Sequence, residues 1–373
     1  IVISINNVGE VMKLKEAIKS INYLDKKYLD KSTKRWDSIA KPLKSLGLLE
    51  EAVIKIAGIT GCSRVSLDKK ALIIMCADNG VVEEGVTQTG QEVTANVTEN
   101  FTDEKATVSI MSKSIGVDVF PVDIGIYRDM DGALNEDEEI QSFHILNRKI
   151  AYGTDNMLKG PAMTRENAVK AIETGISLVK HMKNCRYNIV ATGEMGIGNT
   201  TTSSAIASVL LNQPVENVTG KGAGLTSDGL NRKIHVIKES IKLNVPDVSD
   251  PIDVLAKVGG YDIAGLVGVF IGGAVYNIPI VIDGFISAVA ALVASRIEHK
   301  TIQYMIPSHV SKEPAGKMLL NALGLKPFIT CEMCLGEGSG AVALFPILDM
   351  ACTVYNKMSS FNDIGIEEYK PLS

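Results

Sequence analysis

The feature that most constrains this chain is a regular alternation of short apolar runs with stretches of helical period. ALIIMCA (71 to 77), VDVFPVD (117 to 123), NIVAT (188 to 192), IPIVID (278 to 283) and TIQYMI (301 to 306) are mostly continuous apolar runs, with PFIT (327 to 330) a shorter one. Continuous runs mark strands covered on both faces, whereas a half-exposed strand alternates. Between them lie helix-like stretches at 165 to 183, 202 to 211, 227 to 243, 260 to 275 and 286 to 298. Strand, helix, strand at this spacing predicts an α/β fold with a parallel sheet. Aromatics at 5% against 33 glycines also argue against an aromatic-rich sandwich or barrel. The first sixty residues instead read as amphipathic helices, in VMKLKEAIKSINYL, YLDKSTKRWDSIA and LLEEAVIKIAGI.

One stretch challenges a water-soluble reading: residues 263 to 282 carry no charge over a bilayer-spanning length. Asn277 and Pro279 divide it, so a Gly/Ala-rich helix followed by a short strand is expected. The chain opens IVISINN, without a basic and then apolar leader, so no signal peptide and a cytoplasmic location are expected. With 38 Lys+Arg against 43 Asp+Glu the formal charge is -5, which gives no support for nucleic-acid binding. Six cysteines, Cys62, Cys76, Cys185, Cys331, Cys334 and Cys352, are expected to be reduced and mostly in the core. Cys331 and Cys334 form a lone CxxC with no histidine at finger-like spacing, which predicts a partly buried structural pair and no metal site. The polar segment 128 to 143 reads as a solvated loop.

Four strands end in an acid beside glycine: Asp78, Asp123, Glu194 and Asp283. Ligands of an open parallel sheet bind at the carboxyl ends of its strands, so the four are expected to converge on one crevice. Singly, each also suits ordinary turn chemistry or capping. GEMGIGNTTTSSA (193 to 205) follows a strand and opens a helix, the setting in which backbone N–H groups and the helix dipole hold a phosphate. It has neither the P-loop lysine nor GxGxxG spacing. TGKGAGL (219 to 225), with Lys221, is positioned to reach the same anion. In LGEGSGAVALFPILDM (335 to 350) Glu337 lies between glycines ahead of a helix, open to a ligand or serving as a cap.

These segments, with KPLKSLGLLEEAVIKIAG (41 to 58), ADNGVVEEGVTQTGQEVT (77 to 94), VDIGI (122 to 126), YGTDNMLKGPAMTRENA (152 to 168), GGYDIAGLVG (259 to 268) and VIDGFISAVAA (281 to 291), resemble the nicotinate-nucleotide:dimethylbenzimidazole phosphoribosyltransferase family from about residue 35 onward. The resemblance implies a Rossmann-like parallel sheet over 61–339 and a smaller helical domain from 1–60 plus 340–373, assembled as a homodimer. It implies transfer of the 5-phosphoribosyl group of nicotinate mononucleotide to 5,6-dimethylbenzimidazole, with inversion and without metal or organic cofactor. Glu337 matches the family's general base. Gly196, Gly198, Asn199 and Thr200 match its phosphate cradle, with Lys233 or Lys221 adding charge and Glu194 near the ribose or base. Thr87, Gln91, Met195 and Leu335 fall where it lines the acceptor pocket, and Gly222 and Asp262 fall in the remaining cleft. Asn79 stands where His is usual, Thr89–Gly90 where Tyr-Pro is common, and SHVSKEPAG (308 to 316) varies a GHxSxEP pattern. These departures leave open an adenine, another benzimidazole or a phenol as acceptor. A module that holds a nucleotide without chemistry is the remaining alternative.

Overall fold

In the computed structural model, which describes residues 12–136 and 138–369, six parallel strands form one sheet. Along the chain, α1 (Leu14–Ser20), α2 (Lys26–Ser38) and α3 (Leu48–Thr60) precede β1 (Lys70–Ala77). Next come α4 (Glu92–Thr102), α5 (Thr107–Ser114), β2 (Val117–Gly125), β3 (Leu146–Asn147), α6 (Arg165–Asn184) and β4 (Ile189–Met195). The series α7 (Asn199–Leu211), α8 (Val215–Val218), α9 (Ser227–Asn244), α10 (Pro251–Val258) and α11 (Tyr261–Tyr276) leads to β5 (Ile280–Ile282). The chain then runs through α12 (Phe285–Ile297), β6 (Met305–Pro307), α13 (Gly316–Ala322) and α14 (Ser339–Lys357).

The strand order β3-β2-β1-β4-β5-β6 is that of a doubly wound, Rossmann-like sheet, whose connections reverse direction between β1 and β4. The continuous apolar run of β1 is explained by its two faces. Ala71, Ile73, Met75 and Ala77 join the core under α6, α11 and α12, while Leu72, Ile74 and Cys76 join the core under α3, α5 and α14. On the second face the helices near both chain ends meet: Trp36 of α2 lies 5.1 Å from Tyr355 of α14, and Ile39 pairs with Ser360. Residues 1–11 and 370–373 of the expected helical domain lie outside the described residues.

The uncharged stretch resolves as expected into α11, ended by the left-handed Asn277, and then β5. Among the described residues no helix is long and apolar enough to cross a membrane. The glycines of α11 have an internal use. A Cβ on Gly268 would strike the Ile172 carbonyl of α6, and one on Gly175 of α6 would strike that of Gly265. The close partner that this small-residue helix demanded is therefore α6 of the same chain.

Two expectations about elements fail, and one strand was not expected. TIQYMI is a 3-10 turn over His299–Tyr304, started by the Glu298 side chain accepting from Lys300 N at 3.0 Å, and only its end enters β6. PFIT contributes a single bridge, Ile329 to His309, and no strand. The two-residue β3 carries too little sequence to show a period.

Candidate active site

The carboxyl ends of β1 and β4, where the connections reverse, carry Asp78–Asn79 and the turn 193–198. Gly198, left-handed at φ 94°, begins α7. The turn before it is held from below. Thr94 of α4 accepts from Ile197 N at 3.0 Å, and buried Asn79 donates to the Ile197 carbonyl at 3.4 Å. Gly196 admits no side chain, because a Cβ would meet the Ala77 carbonyl.

Thr200, in the first turn of α7, accepts from Lys233 Nζ at 2.8 Å. Lys233 is 1% exposed and also donates to the Gly220 carbonyl at 3.3 Å, and a Cβ on Gly222 would lie 3.0 Å from Thr200 Oγ1. The two glycine-rich turns and Lys233 thus meet at one helix start, an arrangement suited to an anion. Lys221 is exposed on the second turn. Asn199 is placed differently from a phosphate ligand. Its side-chain amide donates to Glu194 Oε2 and, at 2.9 Å, to Asp262 Oδ2, so it serves as a clamp between two buried carboxylates.

Glu337 occupies a run of three left-handed residues, Gly336 (φ 86°), Glu337 (φ 61°) and Gly338 (φ 92°). A left-handed conformation at a non-glycine residue costs on the order of 1–2 kcal/mol and is kept where the surroundings impose it. Here the surroundings are β4: a Cβ on Gly193 would strike the Glu337 carbonyl, and one on Gly336 would strike Glu194 Oε1. The Glu337 loop and the 193–198 turn are therefore in van der Waals contact. Glu337 Oε2 is buried with no hydrogen-bond partner among the described residues. Burial raises the Glu337 carboxyl above its ordinary range, against the Val108 N–H in the first turn of α5.

Of the four strand-end acids Glu194 is held by the Asn199 amide, five residues on. Asp78 accepts from Tyr127 N at 2.9 Å. Asp123 accepts from Ile126 N at 2.9 Å and pairs with Lys149 at 2.9 Å. Asp283 accepts from the N–H groups of Gly338, Gly340 and Ala341 at 3.2, 2.7 and 3.0 Å, capping α14 and fixing the base of the Glu337 turn. Turn and cap chemistry accounts for Asp123 and Asp283, while Asp78 Oδ1 stays buried without a hydrogen-bond partner among the described residues.

The acceptor segment lies alongside. Thr87 donates to the Thr89 carbonyl at 2.8 Å, Gln91 donates to the Asn79 carbonyl at 3.4 Å, and Gln88 reaches across to the Gly224 carbonyl. Met195 ends β4 half-buried, and Leu335 is 53% exposed at the start of the Glu337 turn. Sequence reasoning missed Gln88, Thr94 and Val108, each of which acts through position alone. It also misjudged the thiols. Cys62, Cys331 and Cys334 are exposed and only Cys76 and Cys352 are buried, all of them free. No cluster of three or more metal-ligating side chains exists among the described residues.

Burial pushes Asp78 up to about 6 and Asp262 and Asp283 up to about 7. Glu194 stands well above the carboxylate range through burial and then the Asp262 charge. Groups whose folded pKa exceeds the unfolded value near 4 stabilise the fold at low pH and lose that contribution as pH rises through the folded pKa. His181 and His309, lowered by burial, act in the opposite direction. The urea midpoint of an Asp262→Asn variant, compared with the parent, is therefore expected to fall less between pH 5 and pH 8. Parallel curves for the two proteins contradict the burial of this charge.

The comparisons with known proteins agree with this geometry. A family model described as "Phosphoribosyltransferase" matches residues 21–366. A nicotinate-nucleotide–dimethylbenzimidazole phosphoribosyltransferase of Ruminiclostridium cellulolyticum is 50% identical over 361 residues, covering 97% of this chain and all of that one. That of Acetivibrio thermocellus is 50% identical over 356 residues, covering 95% and 99%. The crystal structure of CobT from Thermus thermophilus superposes with a TM-score of 0.83 at 32% identity, over 92% of this chain and 100% of that one. With the doubly wound sheet, the paired glycine turns and the glycine-flanked Glu337 in place, the chain belongs to the nicotinate-nucleotide–dimethylbenzimidazole phosphoribosyltransferase family and is a pentosyl-transferring enzyme.

Proposed function

We propose that the protein transfers the 5-phosphoribosyl group of nicotinate mononucleotide to 5,6-dimethylbenzimidazole or a close relative, giving the α-riboside 5′-phosphate and nicotinate, with Glu337 as general base. The observation that carries this reading is the unpartnered, buried Glu337 Oε2 on a turn packed against Gly193 and Glu194. Gly196, Gly198, Thr200, Gly222 and Lys233 hold the 5′-phosphate, while Thr87, Gln91, Met195 and Leu335 border the acceptor. Glu194 and Asp262, tied together by Asn199, face the ribose.

Nicotinate leaves a pyridinium riboside as a neutral ring, so departure needs no general acid. The nucleophile is the demanding partner. A benzimidazole attacks through one ring nitrogen while the other carries the proton to be lost, and a carboxylate accepting that N–H raises nucleophilicity and selects the tautomer. Burial makes Glu337 a better acceptor than a solvated glutamate. Attack from the face opposite the departing ring inverts the anomeric carbon from β to α.

We place the enzyme in the cytoplasm as a homodimer, in keeping with its six free cysteines and with the family resemblance; sedimentation at micromolar concentration tests the assembly. The function is tested by incubating the protein with nicotinate mononucleotide and a panel of benzimidazoles, purines and phenols, then identifying products by mass and anomeric configuration. A benzimidazole α-riboside phosphate is expected. Preferential turnover of a purine or phenol moves the assignment to another acceptor, and no product from any base contradicts it.

A further inference from the structure

Glu313, in the run after β6, brings a carboxylate to the phosphate subsite, where a negative charge needs a reason. Its Oε2 is buried without a hydrogen-bond partner among the described residues. A Cβ on Gly220 would collide with that same oxygen. Lys233 grips the turn from the other side through the Gly220 carbonyl at 3.3 Å. The 220–222 turn is thus held between a buried ammonium and a buried carboxylate that do not form a direct ion pair within 4 Å. Glu313 N is in turn fixed by Ser311 Oγ at 3.3 Å.

We propose that Glu313 is a positioning residue of the phosphate subsite, fixing the Gly220–Gly222 turn and supplying the negative charge that keeps the buried Lys233 ammonium protonated opposite the 5′-phosphate. The inference rests on the phosphate reading above. Burial lowers Lys233 to about 8 even with Glu313 present, and Glu313 is the charged group that opposes the burial. The other elements packed on α9 offer no substitute. From α7 comes the Thr200 hydroxyl, Glu216 of α8 is tied to Lys238, and Asp253 of α10 is tied to Lys257. At alkaline pH Glu313 is ionised, so its loss lets Lys233 shed its proton at a lower pH, leaving a neutral amine to face a phosphate dianion.

The test follows KM for nicotinate mononucleotide from about pH 7 to about pH 9 in the parent, Glu313→Gln, Glu313→Asp and Lys233→Ala. For Glu313→Gln the ratio of KM to the parent's is expected to grow with pH, reaching about tenfold at the alkaline end for one unit of displacement, with kcat within about twofold. Glu313→Asp, which keeps the charge but withdraws it from Gly220, is expected to raise KM by a factor that does not change with pH. A constant KM ratio for Glu313→Gln, or a pH-dependent one for Glu313→Asp, overturns the proposal. Should the Gln variant be recovered unfolded, the Asp profile decides. KM unmoved by Lys233→Ala removes the phosphate from this subsite and so fails the underlying reading, whereas a raised KM there with a constant Glu313→Gln ratio fails Glu313 alone.

Discussion

Glu337→Gln is expected to lower kcat by about 10²- to 10⁴-fold while leaving KM for nicotinate mononucleotide within about twofold, the loss typical of a positioned general base. The substitution keeps the size of the side chain and its place on the left-handed turn, so Gly336, Gly338 and the contact with Gly193 are undisturbed. It removes the ability to take a proton and sets an amide N–H₂ where the acceptor's N–H must point. The phosphate subsite proposed for the donor, Thr200, Lys233 and the 220–222 turn, is joined by Lys233 hydrogen bonds in which Glu337 takes no part. Steady-state kinetics with the donor varied at saturating base measures both constants. Parental turnover would exclude Glu337 from proton transfer.

The second large effect is expected at a residue that touches no substrate. Asp283→Ala strips acceptors from the N–H groups of Gly338, Gly340 and Ala341, at the start of a nineteen-residue helix. Losing a cap costs about 0.5–2 kcal/mol, and each buried donor left without a partner about 1–3 kcal/mol, so a net loss of about 2–4 kcal/mol is expected after local relaxation. His309 packs against Gly340 beside Asp283 and limits that relaxation. Because the same carboxylate anchors the Glu337 turn, kcat is expected to fall with stability. Asp283→Asn keeps one acceptor oxygen and is expected to lose less of each. Urea midpoints and kcat for the two variants check this, and an Ala variant with parental stability would show that the cap is dispensable.

Much of this architecture was legible because the physics that writes it into sequence is local. The run ALIIMCA could be read as a two-faced strand, since both of its faces are covered by helices. Strand, glycine turn and helix succeed one another in 193 to 205 without interruption. Glu337 stood out because glycine on either side is needed to place it on left-handed backbone. What escaped depends on groups distant in the chain. Nothing near Asn199 shows that its amide joins Glu194 and Asp262, the latter sixty-three residues on. Asp283 reads as one more acid before glycine until α14 is seen to start on it, fifty-five residues later. The exposure of Cys331 and Cys334 is likewise something a CxxC spacing does not encode.

The proton-accepting role of Glu337 is tested most directly by the pH dependence of kcat, measured for the parent and Glu337→Gln with the same acceptor. A base must be ionised to act, and burial raises this carboxyl. The parent is therefore expected to lose turnover as pH falls through a limb above the ordinary glutamate range, and the ratio of parent to variant rates is expected to collapse along that limb. Protonation of the acceptor itself is common to both proteins and cancels in the ratio. A ratio that stays constant across the limb would mean that the carboxylate takes no proton in the reaction.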